Sequence, residues 1–190
     1  LLYPQGKTDE VFTLPESVKS FGAYAFAYSK LKRVESFDNV TELAEYLFAY
    51  SNIEEFPKME NIQEIAPYAF AYCNNLKSVT IPLKVDKIGY RAFWYCKNLE
   101  EVDFGEITTI KSTAFAKCIS LKKVVLPKTC TTLKQYAFSH CKKLESFDGS
   151  GLTSIGSWAF NNCKKLESFN CNDLSSIEYN AFENCVNLKK

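Results

Sequence analysis

Across 190 residues, 23 lysines and arginines balance 22 aspartates and glutamates, so the chain lacks the electrostatic footprint of a nucleic-acid binder. No run approaches the roughly 20 consecutive apolar residues of a spanning helix, and no signal peptide opens the chain; membrane insertion is not expected. In chain order, Leu1-Leu2-Tyr3 reads as a strand, Gln5-Gly6-Lys7 as a turn, and Phe12 to Leu14 as a return strand that shields the first of a series of repeated units.

From there a phenylalanine recurs every 22 or 23 residues, at Phe26, Phe48, Phe70, Phe93, Phe115, Phe138, Phe160 and Phe182. Alanine precedes it in every unit except at Leu47. A small residue comes three positions later: Ser29, Ser51, Cys73, Cys96, Cys118, Cys141, Cys163 and Cys185. Then come a leucine or isoleucine (Leu31, Ile53, Leu76, Leu99, Leu121, Leu144, Leu166, Leu188) and a further apolar residue such as Val79, Val102 or Val124. A second apolar pair, as in Val85/Ile88 and Ile107/Ile110, leads into the next phenylalanine. The L-x-x-V-x-I stretch alternates as a short strand with one buried face does. Pro15, Pro82 and Pro127 end strands, and Gly22, Gly89 and Gly156 mark turns. The A-F-x-x-C stretch leaves room for one or two helical turns on the outer side. No single unit buries its own phenylalanine, so the units must stack, each contacting only its neighbours. Strands about 4.8 Å apart give a core about 40 Å long.

The repeat phase also interprets the eight cysteines. Six share one column, Cys130 takes the slot of Val85, and Cys171 the slot of Ile81. All are expected to be small, buried, reduced residues. Disulfides between column neighbours are a second reading. Metal ligation is the weakest, because the chain has no C-x-x-C and a single histidine, His140. His140 occupies a slot shared with Tyr95, Lys117 and Asn162, which reads as outer surface rather than as a catalytic base. No cofactor is expected.

Two surfaces could bind a partner. The strand positions that face outward carry Arg33, Glu55, Ser78, Thr80, Glu100, Glu101, Asp103, Lys123, Val125, Ser146 and Asp148. Opposite charges fall side by side in a parallel stack, which admits two readings: internal neutralisation of an exposed sheet, or a mixed-charge recognition face. The second surface is a tyrosine column, Tyr28, Tyr50, Tyr72 and Tyr95, beside another at Tyr24, Tyr46 and Tyr68. Rung-to-rung stacking and an exposed aromatic patch are both open.

The unit A-F-x-x-C-x-x-L followed by I-P-x-x-V-x-x-I-G is carried by Ala69-Phe70-Ala71-Tyr72-Cys73 through Ile81-Pro82 and Ile88-Gly89. It resembles the BspA-type leucine-rich repeat of bacterial and protist surface proteins, from about Val11 to Leu188. The first two units depart from it, with serine for cysteine and one residue fewer before the leucine. The resemblance implies an α/β, right-handed leucine-rich-repeat solenoid of about eight coils of 22–23 residues, with a parallel sheet on the concave face and short helical turns outside. Residues 1–190 would form one solenoid, with 1–15 as a lead-in cap and 16–190 as repeats. The chain would end in mid-repeat, as a segment of something longer. The resemblance further implies export to the cell surface or beyond and a non-catalytic, monomeric interaction module adhering to host, matrix or cell-surface proteins, with glycan as a second ligand class. A structural spacer displaying another domain is the competing function. An enzyme is remote, since no phosphate loop, acid pair, activated nucleophile or metal cluster is legible.

Overall fold

The computed structural model describes residues 7–189. Two kinds of strand recur along the chain: β1 (Val11–Thr13), β2 (Arg33–Glu35), β3 (Glu64–Ile65), β4 (Ser78–Thr80), β5 (Lys87–Ile88), β6 (Glu101–Asp103), β7 (Thr109–Ile110), β8 (Lys123–Val125), β9 (Thr132–Leu133), β10 (Ser146–Asp148), β11 (Ser154–Ile155), β12 (Ser168–Asn170) and β13 (Ser176–Ile177). The three-residue strands turn their middle residue inward, as Val79 in β4, Val124 in β8 and Phe147 in β10. They pair in parallel with the equivalent strand one coil on, as in Phe147↔Phe169 and Val79↔Val102. The return strand expected through Phe12 is β1, and it is the first rung, parallel to β2. The first strand and most of the turn expected before it lie outside the described residues.

One expectation is extended and another corrected. A second parallel sheet, β13-β11-β9-β7-β5-β3, is built from the second apolar pair, on a face distinct from the first. Its strands are two residues long, too short for alternation to show in the sequence. And the outer flank is not helical: among the described residues there is no helix. Each coil instead runs through overlapping turns, in coil three Ala69 N–H to Ala66 O, Ala71 to Tyr68, Cys73 to Phe70 and Leu76 to Cys73, all 3.0–3.2 Å. The residues two before and two after each phenylalanine have positive φ, here Tyr68 at 56° and Tyr72 at 60°. A left-handed residue on either side of the phenylalanine makes an α-helix impossible. Alternate amides then point to the next coil: Tyr68 N–H to Tyr90 O, Phe70 to Ala92 and Tyr72 to Trp94, at 2.8–2.9 Å. Coils are thus hydrogen-bonded to one another on the turn flank as well as through the two kinds of strand where those strands pair.

The phenylalanines form one column, with successive rings stacked at 5.1–5.8 Å from Phe26 to Phe182. Those from Phe26 to Phe160 are fully buried, while Phe182, in the last coil, is half-buried. The last coil also exposes Ile177, Tyr179 and Val186.

The cysteine column does more than fill space. Each thiol donates to the carbonyl of the phenylalanine one coil earlier: Cys73 to Phe48, Cys96 to Phe70, Cys118 to Phe93, Cys141 to Phe115, Cys163 to Phe138 and Cys185 to Phe160, at 3.0–3.3 Å. The serines of the first two units fill the same slot without that bond: the Ser29 hydroxyl is buried without a partner among the described residues, and Ser51 Oγ lies 3.7 Å from Cys73 Sγ. All eight thiols are free. Cys171 and Cys185, expected to be buried, are half-buried. Burial holds the Cys96, Cys118 and Cys141 thiols far above the usual range and pushes Cys73 and Cys130 up to about 12.

Native protein should leave Cys96, Cys118 and Cys141 unmodified by a thiol reagent, with Cys171 and Cys185 labelled first; mass spectrometry of the labelled chain checks the order. Folded-state thiol pKa values are raised, so the native state retains protons that the unfolded chain loses above about pH 8.5. Stability is then complete below that pH and falls as pH rises toward 12, by about 1.4 kcal/mol per pH unit for each buried thiol in its titration window. Urea midpoints measured across this range should drop steeply, and Cys73→Ser should flatten the drop.

Candidate functional site

On the first strand face, β4 and β6 bring Ser78 beside Glu101 and Thr80 beside Asp103, and β8 and β10 bring Lys123 beside Ser146 and Val125 beside Asp148. Ser78, Thr80, Glu101, Asp103, Lys123 and Val125 are exposed; Ser146 and Asp148 are half-buried. Asp103 Oδ1 accepts the Gly105 N–H at 3.2 Å, and Asp148 Oδ1 accepts the Ser150 N–H at 3.1 Å. These two carboxylates shape the corners after their strands. Arg33 lies on β2, held by Glu35 at 3.0 Å and Glu55 at 3.5 Å.

The charged rows meet across rungs in places. Lys32 bridges Glu10 at 2.9 Å and Glu54 at 3.9 Å, and Lys122 reaches Glu100 at 3.7 Å. Such solvent-screened pairs contribute little to stability. The burden of neutralisation is uneven: Lys77, Glu101 and Lys123, in the central coils, form no ion pair among the described residues.

The three-residue strands fall into three sheets, β1-β2, β4-β6 and β8-β10-β12. Between β6 and β8 the strands remain neighbours without a ladder, and the residues after them, Phe104 and Leu126, are both buried. Coil two is a deeper break, because Glu55 is in no strand at all. The cause is local. Where coils three to five place an inward apolar residue (Ile81, Phe104, Leu126), coil two has Lys58, as coil one has Ser36. A lysine there stays outside, and Met59, one residue later, is buried instead. Pro57 before it has no N–H to give to a ladder. Two depressions result. One, of about 870 Å³, is lined by residues including Phe56, Met59, Thr80, Leu83 and Asp103; the other, of about 430 Å³, by Asn75, Lys77 and Asn98, and both share Glu54 and Glu55.

On the turn flank, the tyrosines stack on one another. Tyr28, Tyr50, Tyr72 and Tyr95 succeed each other at 4.8, 4.3 and 4.8 Å, and Tyr24, Tyr46 and Tyr68 at 4.5 and 4.3 Å. All these tyrosines hold positive φ, which costs a bulky residue roughly 1–2 kcal/mol. Stacking offsets that cost where the column is tyrosine; in later coils Asn162, Asn180 and Asn184 take the left-handed sites at lower cost. Burial, then hydrogen bonding to Tyr68, pushes the Tyr46 phenol up to about 12. The columns therefore present ring edges and hydroxyls, with most ring faces covered by one another. Arg91 and Trp94, which no sequence motif singles out, close this patch. The Arg91 guanidinium lies 4.5 Å over Trp94 and 5.0 Å over Tyr90, and donates to the Tyr68 hydroxyl at 3.3 Å. One signal for it exists in the repeat phase, since Arg91 stands in the slot of Tyr24, Tyr46 and Tyr68.

His140 is half-buried, with Nδ1 2.9 Å from the Ser139 hydroxyl. Burial and then Lys117, Lys142 and Lys164 hold its pKa below the usual value. Its surroundings are cationic, and among the described residues no carboxylate bonds to the ring to orient it as a general base.

Comparison with known proteins agrees with this architecture. No curated protein matches the chain. Among solved structures, a leucine rich cell surface protein of Faecalibacterium prausnitzii is 26% identical with a TM-score of 0.60; the match covers 86% of this chain and 53% of that one, so the chain spans about half its length. A leucine rich repeat protein of T. pallidum superposes with a TM-score of 0.77 at 23% identity, covering 84% of this chain and 79% of that one. The pneumococcal vaccine antigen PcpA gives 0.65 at 19% identity, covering 96% and 65%. The model of the BspA type leucine rich repeat region matches residues 6–108 and 105–190. With its stacked coils, phenylalanine column and inter-coil ladders, this chain belongs to the BspA-type leucine-rich repeat family.

Proposed function

We propose that this chain is a non-catalytic protein-interaction module at the cell surface or outside the cell, and that its central strand face meets the partner. The observation that carries this is the uneven charge on a rigid sheet. Glu101 and Lys123 stand outward without ion pairs among the described residues, beside Asp103 and a half-exposed Val125. Unpaired charge around an apolar contact suits recognition, where charges steer encounter and the apolar group adds affinity. The F. prausnitzii relative is a cell surface protein, which supports the location; adhesion to host, matrix or cell-surface proteins is the role proposed for this chain there. A glycan is the weaker ligand class, because sugars stack on open ring faces and the tyrosine faces are mostly taken.

The rungs neutralised at Lys32 and Lys122 favour the spacer reading, so the two must be separated. The test is capture of matrix and cell-surface proteins on the immobilised chain. Glu100→Lys/Glu101→Lys/Asp103→Lys should weaken the captured partner at least tenfold while circular dichroism shows the fold retained, with a small loss of thermal stability from the Asp103 bond to Gly105. Tyr50→Ser/Tyr72→Ser/Tyr95→Ser tests the turn flank in the same way. Binding that survives both triple variants, or no binding at all, would favour the spacer.

A further inference from the structure

We infer that the break in coil two is a built peptide-docking groove that takes an extended, basic segment of a partner protein by strand addition to β4. The inference rests on the interaction-module reading and names the partner's chemistry. Its first support is hydrogen bonding. On the far side of β4, adjoining coils exchange backbone bonds, as Glu100 N–H to Lys77 O at 2.8 Å and Ile81 N–H to Asp103 O at 2.8 Å. Among the described residues, no backbone hydrogen bond joins residues 53–60 to residues 76–84. In a parallel ladder, alternate residues turn both backbone groups to the same side. Lys77 and Ile81 point to coil four, so Ser78 and Thr80 point to coil two, where no ladder receives them. An open edge in the middle of a sheet is a template for another strand. The junction of β6 and β8 also lacks a ladder, but there a strand already stands alongside.

The second support is the shape. The two depressions share Glu54 and Glu55 and run in the chain direction of β4, from Asn75 past Ser78 and Thr80 to Leu83. That is the course an added strand would take. The larger depression has the volume of an ordinary ligand site. Phe56 and Met59 form its apolar part, and Leu83, 76% exposed, stands at its rim without cover.

The third support is charge. Four carboxylates, Glu54, Glu55, Glu60 and Asp103, line the larger depression against two lysines; Glu54 and Glu55 also meet Lys32 and Arg33 at the long distances of 3.9 and 3.5 Å, and the Lys84 Nζ is tied to Asn61 Oδ1 at 2.8 Å. An arginine or lysine of the peptide would meet these carboxylates, while its backbone pairs with Ser78 and Thr80 and an apolar neighbour covers Leu83. Main-chain bonding gives affinity in this mode, and alternate side chains give selectivity.

The experiment uses a fluorescein-labelled, end-blocked hexapeptide of alternating valine and arginine, read by anisotropy against the whole chain. Two control peptides replace arginine by glutamate or N-methylate alternate backbone amides. The arginine peptide should bind saturably, and both controls at least tenfold more weakly. Pro57→Thr/Lys58→Ile copies the Thr80-Ile81 pair into coil two and should close the ladder, weakening the peptide at least tenfold while raising the unfolding temperature. If that variant fails to fold, Glu54→Lys/Glu55→Lys, on exposed positions, should show the same tenfold loss. No saturable binding up to about 1 mM, equal binding of either control peptide, or undiminished binding to the folded variant would overturn the inference. Such a failure leaves capture of surface proteins by the chain untouched; loss of all capture would instead sink the module reading itself.

Discussion

Phe115→Ala should lower the unfolding free energy by about 3–5 kcal/mol, the cost of emptying a large buried site that cannot collapse. Phe115 is fully buried, and its ring is stacked 5.1 Å from Phe93 and 5.3 Å from Phe138, with Phe104 edge-on at 5.5 Å. Removing it leaves two stacked neighbours without a partner face. Backbone bonds on both sides, Phe93 N–H to Ala114 O at 2.9 Å and Phe115 N–H to Ala137 O at 2.8 Å, hold the coils at their spacing and prevent relaxation into the void. In a stack where each coil is stabilised only by its neighbours, a weak central rung also divides the cooperative unit. Urea unfolding monitored by circular dichroism should show a lower midpoint, and a lower slope if the halves part company. Phe182→Ala, at the half-buried end, should cost clearly less. Equal effects at the two positions would contradict a core graded from centre to end.

Gly151→Ala should be the most damaging of the small substitutions. A Cβ there would lie 2.2 Å from the Lys128 carbonyl oxygen, 2.7 Å from its carbon and 2.8 Å from its Cα. All three are backbone atoms of the corner one coil earlier, so no side-chain rotation relieves the clash. The corner after β10 would have to move off the corner after β8, straining the Leu152 N–H to Gly149 O turn at 2.8 Å. Overpacking of this kind costs typically about 1–3 kcal/mol, and a backbone obstacle places it at the upper end. Gly22→Ala is the matched control, because nothing lies within 4 Å of its added Cβ. Chemical denaturation of the two variants should separate them widely. A Gly151→Ala protein as stable as the Gly22→Ala one would show that the corners are not in contact.

The period, the buried column and the strand register are legible in the residues because they are one-dimensional. A stack repeats the same environment every 22 or 23 residues, so each buried slot is sampled eight times, and the slots of Phe70, Leu76 and Val79 declare themselves by recurrence. The outward rows Ser78/Glu101 and Thr80/Asp103 come from the same register. What recurrence does not carry is the conformation between the slots. The A-F-x-x-C stretch has the length of a short helix, and only the demand that Phe70 and Tyr72 donate to the next coil selects turns with left-handed tyrosines. The cysteines read as small hydrophobes because the acceptor of each thiol, a phenylalanine carbonyl, lies 25 or 26 residues away. The second sheet has strands too short to alternate. The opening in coil two has one mark in the sequence, Lys58 in the slot that Ile81, Phe104 and Leu126 fill, and the repeat reading alone does not single it out. Whether the chain would bury its ammonium, lose the coil or slip by one residue was decided by packing, since Met59 could enter the core and leave the lysine in water. Composition and period thus determined which residues lie inside. Inter-coil hydrogen bonds, which join atoms a full coil apart, decided how the backbone turns between them and where the sheet stays open.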